Sequence, residues 1–176
     1  MFSSDRNLHL QVYNNVFYIG EGLNTDIQDD DFASPSRDVV YTKNIFYNLG
    51  TGDYHTGNAQ FINNCFYGNG TKPSGNGNFI ADPKLQSPGN AATGIDFTST
   101  QRLNEYWLTE TSPCINAGRA VQNNGGRDFW GNSLYYQEPD IGAQESAYET
   151  PSQGNQIQIN DNDATLAYTG NWTYDT

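Results

Sequence analysis

Positive charge is what this chain most lacks. Its 176 residues hold 8 Lys and Arg against 20 Asp and Glu, a formal net charge of −12. Neutralising a phosphate backbone takes a patch of cations, so nucleic acid is excluded as a partner. The basic face of a membrane-surface helix is missing for the same reason. No apolar run approaches the roughly 20 residues of a membrane-spanning helix, so no membrane insertion is expected. Ala, Leu, Glu and Lys, the strong helix formers, are scarce, which argues against a helical bundle. Cysteine is rare as well: Cys65 and Cys114 form no Cys-x-x-Cys pair and adjoin no histidine-rich stretch, which argues against zinc. They are expected as small buried residues, with a disulfide left open for an exported protein. The start, Met1-Phe2-Ser3-Ser4-Asp5, has neither the basic residues nor the apolar stretch of a signal peptide. No phosphate loop, dinucleotide fingerprint or Ser-His-Asp order is present.

What is abundant is asparagine, 22 residues, beside 18 Gly and 12 Tyr. Asn and Gly tolerate left-handed backbone and sharp turns, and Tyr and Phe favour strands. The expected class is all-β with many tight turns. An aromatic content of 14% supplies enough burial to argue against disorder.

The strongest signal is an internal repeat. Asn14-Asn15-Val16-Phe17-Tyr18 recurs as Lys43-Asn44-Ile45-Phe46-Tyr47 and again as Asn63-Asn64-Cys65-Phe66-Tyr67. Val12, Tyr41 and Phe61 stand three residues before the key Asn, and Leu10, Val39 and Ala59 five before. Apolar residues alternate up to the Asn pair and resume after it, which reads as strand, corner, strand. Repeats of this length fit the turns of a solenoid of short strands, which stacks identical side chains along its axis. Asn15, Asn44 and Asn64 are then expected to hydrogen-bond along one corner, and the Phe residues to fill the interior.

With these repeats the chain resembles the right-handed parallel β-helix family of the pectate-lyase type. Further motifs carry the resemblance. Ile80-Ala81-Asp82-Pro83-Lys84-Leu85 is similar to a last-coil segment of that family, and Ser112-Pro113-Cys114-Ile115-Asn116-Ala117-Gly118 to the segment that follows it. Arg127-Asp128-Phe129-Trp130-Gly131-Asn132 and Pro139-Asp140-Ile141-Gly142-Ala143-Gln144-Glu145 resemble its closing motifs. The implied fold is a right-handed parallel β-helix, a single-stranded solenoid, with an irregular C-terminal cap. Residues 1–146 would be its final coils and cap, with Trp107, Phe129 and Trp130 covering the last coil, since an open solenoid end exposes strand edges and apolar interior. Leu8 begins a strand almost at once, so further coils and an export signal are expected upstream. Residues 147–156 read as a polar linker. Residues 157–176 resemble the truncated start of a galactose-binding-type β-sandwich found beside carbohydrate-active domains.

The resemblance implies an exported, secreted or cell-surface protein that acts on polysaccharide as a lyase or glycoside hydrolase, monomeric at full length. The alternative is a non-catalytic glycan-binding or adhesion solenoid. A lyase removes a proton beside a sugar carboxylate, with calcium neutralising that carboxylate and a Lys or Arg of lowered pKa as base. Asp29, Asp30 and Asp31 are the candidates for calcium, and Lys43 or Arg37 for the base. Three consecutive strand residues point alternately, so all three Asp can face one ion only in an irregular loop; a solvated acidic turn is the plain reading. His55, in a turn, is a further acid–base candidate. A hydrolase needs two carboxylates about 5–5.5 Å or about 6.5–9.5 Å apart, and no spacing singles out a pair. Tyr18, Tyr47 and Tyr67 are candidates for stacking on sugar. Asp128 and Asp140 are expected to cap turns.

Overall fold

The computed structural model describes residues 8–28, 37–55, 59–90, 100–134 and 138–148. The expected linker beyond residue 148, the expected sandwich start at 157–176 and Asp29, Asp30 and Asp31 lie outside them. The regular structure of the described residues is mostly strand, with one short 3-10 helix at Thr100–Tyr106, and no described helix is long and apolar enough to cross a membrane. Nine short strands are described: β1 Leu8–Tyr13, β2 Val16–Ile19, β3 Ile27–Gln28, β4 Arg37–Thr42, β5 Ile45–Asn48, β6 Tyr54–His55, β7 Gln60–Ile62, β8 Cys65–Gly68 and β9 Phe79–Ile80.

The strands form three sheets, ordered β1-β4-β7, β2-β5-β8-β9 and β3-β6, and every pairing is parallel. From β1 to β8 consecutive strands go to different sheets, so the first two sheets each collect one strand per sequence repeat, the third takes β3 and β6, and β9 adds directly to β8. The register matches the repeat: Phe17 pairs with Phe46 and Phe46 with Phe66.

Corners separate the first sheet from the second. At each, the residue before the key Asn takes the left-handed conformation: Asn14 at φ 58°, Lys43 at 55° and Asn63 at 56°. Asn adopts this backbone more readily than other side chains. The next residue builds a hydrogen-bonded ladder. Asn44 Oδ1 accepts from the amide and the side chain of Asn15, each at 3.0 Å, and Asn64 Oδ1 accepts from Asn44 in the same way at 2.9 and 3.1 Å. Asn78 Oδ1 extends the ladder, accepting from Asn64 at 2.9 and 3.1 Å. Gly77, at φ 72°, takes the left-handed position of this fourth corner.

Strand alternation sends the two halves of each repeat to opposite faces. Phe17, Phe46 and Phe66 turn inward and stack at 4.8 and 4.9 Å with nearly parallel rings. They share a core with Val39, Tyr41 and Phe61, and the Tyr41 and Phe61 rings stack at 4.8 Å. Val16, Ile45 and Cys65 face the other way and carry a second core. Leu85, Leu108, Cys114, Ile115 and Ile141 pack there.

Part of the described C-terminal segment thus packs on the outer face of the second sheet, and Arg119 to Asn123 lie beside the first. Ile80, paired with Phe66 on the last strand, stays 69% exposed. The resembling motifs are stitched to one another and to the second corner. Gly118 N–H donates to Pro139 O at 2.7 Å, Ile141 N–H to Cys114 O at 2.9 Å and Gly142 N–H to Lys43 O at 3.0 Å. Gly142 takes φ 113°, a backbone that side chains rarely adopt, and a β-carbon there would sit 2.7 Å from Ile45 Cδ1, so glycine suits this close approach to the sheet.

Candidate functional site

Because the Phe of each repeat points inward, the Tyr that follows points outward. In-register pairing then stacks Tyr18, Tyr47 and Tyr67 into a column, with ring centroids 5.5 and 4.8 Å apart. All three are partly exposed. The structure thus brings together the three tyrosines singled out in the sequence. The C-terminal segment adds Tyr106, whose ring meets Tyr18 edge-on at 5.7 Å. Burial, followed by the neighbouring Tyr67, Asp82 and Tyr18, raises the Tyr47 pKa above the usual phenol value. Burial also raises that of Tyr106. Both are therefore neutral hydroxyls near pH 7, able to donate and accept hydrogen bonds.

Beside Tyr18 the column opens into a cleft of about 380 Å³, lined by Asn14, Val16, Leu103, Tyr106, Phe129 and Trp130 among others. Trp130 is held by the turn that Asp128 organises, as its sequence motif led us to expect. Asp128 Oδ1 accepts the amides of Trp130 at 2.9 Å and Asn132 at 2.8 Å, and Oδ2 accepts that of Glu145 at 2.8 Å. Phe129 meets the indole edge-on at 5.0 Å and is itself 53% exposed. Trp107 meets it from another side at 5.9 Å. At the cleft wall, the buried Asn14 Oδ1 has no hydrogen-bond partner. Among the described residues, no Asp, Glu, His, Lys or Arg lines this cleft. It offers aromatic faces and neutral polar groups, the equipment for stacking on an uncharged ring that carries hydroxyls.

A second groove, of about 550 Å³, runs along the outer face of the first sheet. Gln11, Tyr13, Thr42, Ile62 and Arg119 line it, and the segment Ala120–Asn123 forms its other wall.

The remaining predicted residues are dispersed. Lys43 has no exposed surface. Burial lowers its pKa, while Glu145 and Asp140 act in the opposite direction. Both acids are themselves buried. Asp140 accepts the amides of Asn116 and Ser146, each at 2.7 Å, and Glu145 Oε2 accepts that of Asp140 at 3.1 Å. Lys43 thus sits in a buried ionic cluster joining the second corner to the closing motif. Arg37 begins β4. His55 ends β6, with Nε2 3.7 Å from Asp26 Oδ2 and both side chains partly exposed.

Asp26 and Asp53 belong to another ladder. Asp26 Oδ1 accepts the Asp53 amide at 2.8 Å, and Asp53 Oδ1 accepts those of Tyr54 at 2.8 Å and Thr71 at 2.7 Å. Among the described residues, no group of three or more His, Cys, Asp or Glu is placed to hold a metal ion.

Sequence reasoning missed Tyr106 and the fourth ladder position. Gly77-Asn78-Phe79 was a usable signal for the latter, because Gly can replace Asn at the left-handed site. Nothing in the sequence ties Tyr106 to Tyr18, which lies far away along the chain.

No protein-family model matches the chain, and no curated protein is detectably similar to it.

Proposed function

We propose that the chain is part of a right-handed parallel β-helix of the pectate-lyase type, in an exported protein that acts on polysaccharide, and that this part supplies a glycan-binding face. The observation that carries the reading is the tyrosine column, continuous at Tyr18 with the Trp130 cleft. A row of outward aromatic rings repeated at the strand spacing suits a polymer of repeated rings. Stacked faces bury apolar area, and the hydroxyls of Tyr and the amide of Asn14 provide partners for sugar hydroxyls. A hydroxyl donated to Asn14 Oδ1 would also relieve a buried acceptor that costs about 1–3 kcal/mol unpaired.

The parallel pairing of three sheets, two of which take one strand from each repeat, supports the β-helix reading. The parent activity we favour is that of a lyase or glycoside hydrolase. The second reading, a non-catalytic glycan-binding protein, is favoured by one feature: among the described residues, no carboxylate or base lines the aromatic cleft.

Affinity electrophoresis through gels containing neutral or acidic polysaccharides tests the binding reading. Retardation is expected in at least one neutral glycan, and Trp130→Ala should weaken it by about tenfold or more. Equal mobility of the wild type in every gel would remove the proposal. Assaying the same mixtures for new reducing ends or unsaturated uronate ends separates the enzyme from the binder.

A further inference from the structure

The chain's two cysteines meet. Cys65 opens β8, and Cys114 lies in the segment laid over that sheet. Both are free thiols with no exposed surface, both belong to the same apolar cluster, and Cys65 lies close enough to act on the Cys114 thiol. The backbone on each side is firmly held. Cys65 N–H donates to Asn44 O at 2.9 Å, and Cys114 O accepts the Ile141 amide at 2.9 Å. Cys114 N–H donates to Ser112 Oγ at 3.1 Å, and that hydroxyl donates to Pro83 O at 2.6 Å. The sulfurs are therefore brought together by elements anchored independently.

We propose that Cys65 and Cys114 become an intrachain disulfide when the protein folds in the presence of a disulfide oxidant, stapling the C-terminal segment to the second sheet. The inference does not depend on the glycan reading. In the finished fold the contact with Cys65, and then burial, push the Cys114 thiol far above its usual pKa. The thiolate is the nucleophile in exchange, so closure belongs to folding, before the pair is sealed from solvent.

The exchange balances in two steps. One cysteine thiolate attacks a small-molecule disulfide, giving a mixed disulfide and releasing one small thiolate. The other cysteine thiolate then attacks the protein sulfur of that mixed disulfide and releases the second. Two cysteine thiols are oxidised to one S–S bond, one small disulfide is reduced to two thiols, and the two cysteine protons end on the released thiols.

The test is to refold the full chain from denaturant in oxidised and reduced glutathione, alkylate under denaturing conditions and measure intact mass. The expected product is a monomer lighter by two hydrogens, with no alkyl group and one peptide pair linked through Cys65 and Cys114. Because the closed loop is long, its melting temperature should exceed that of the reduced chain by about 5–10 °C. Cys114→Ala should take one alkyl group and lose that difference. Should this variant not fold, the wild-type peptide map still decides. Two alkylated cysteines at every glutathione ratio, stable glutathione adducts or disulfide-linked dimers would each overturn the proposal.

Discussion

Neighbouring corner residues carry two separate demands. The first must accept a left-handed backbone, and the second must bond along the stack. Asn14 and Asn63 meet the first demand cheaply, whereas Lys43 meets it with a long side chain whose charge is used elsewhere. Asn44 meets the second with both ends of its amide. Its oxygen takes two donors from Asn15, and its nitrogen donates to Val12 O at 2.9 Å, Thr42 O at 3.2 Å and Asn64 Oδ1. Asn44→Ala would strand several of these partners in a buried place. We expect a loss of about 3 kcal/mol or more in urea unfolding, and a loss under 1 kcal/mol would show that the ladder contributes little. Asp53 is a partly exposed counterpart. The amides of Tyr54 and Thr71 hold its pKa below the ordinary carboxylate value. A depressed pKa means stability that is present above the unfolded-state value and is lost as pH falls through the folded one. Melting temperature should therefore fall below about pH 4, and Asp53→Asn should flatten that part of the profile. An identical acid limb in the variant would contradict this.

The strands were legible in the sequence because one pattern served two faces. Phe17, Phe46 and Phe66 announced the interior, and the tyrosines after them announced the exterior, since alternation is a local property. The placement of the C-terminal segment was not legible. Its motifs were recognisable, but which surface they cover depends on long-range partners: Ile45 and Cys65 for the apolar residues, Lys43 for the closing motif. The short corner at Gly77-Asn78 was missed because its spacing, 14 residues, departs from the 29 and 20 of the earlier ladder steps. Lys43 illustrates the limit well. Read locally it was a candidate base; in the fold it faces Asp140 and Glu145 in the interior. Lys43→Met would leave those two buried carboxylates without their cation, at a cost of about 3–5 kcal/mol. Hydrogen exchange at the Ile141 and Gly142 amides should report it first, since the latter donates directly to Lys43 O. Unchanged protection there would mean that the cluster does not hold the closing motif.

Across the whole molecule, a net charge of −12 opposes a polyanionic ligand, while the described residues lining the aromatic cleft carry no charge. The combination favours a neutral glycan, whose approach the overall field does not resist. It also separates two kinds of residue that the sequence alone could not: acids that build ladders and turns, such as Asp26, Asp53, Asp128 and Asp140, and aromatics left over on one face once the interior is filled. The proposed β-helix accounts for both, because stacking repeats produces a ladder at the corner and a column on the face from the same register. The most direct test is to map a neutral oligosaccharide onto the protein by nuclear magnetic resonance, following backbone amides and indole N–H signals during titration. The account predicts shifts at the Trp130 indole and at the amides of Tyr18, Tyr47 and Tyr106, reaching saturation together. Saturating shifts confined to other surfaces, or none from any glycan that retards the chain in a gel, would contradict it.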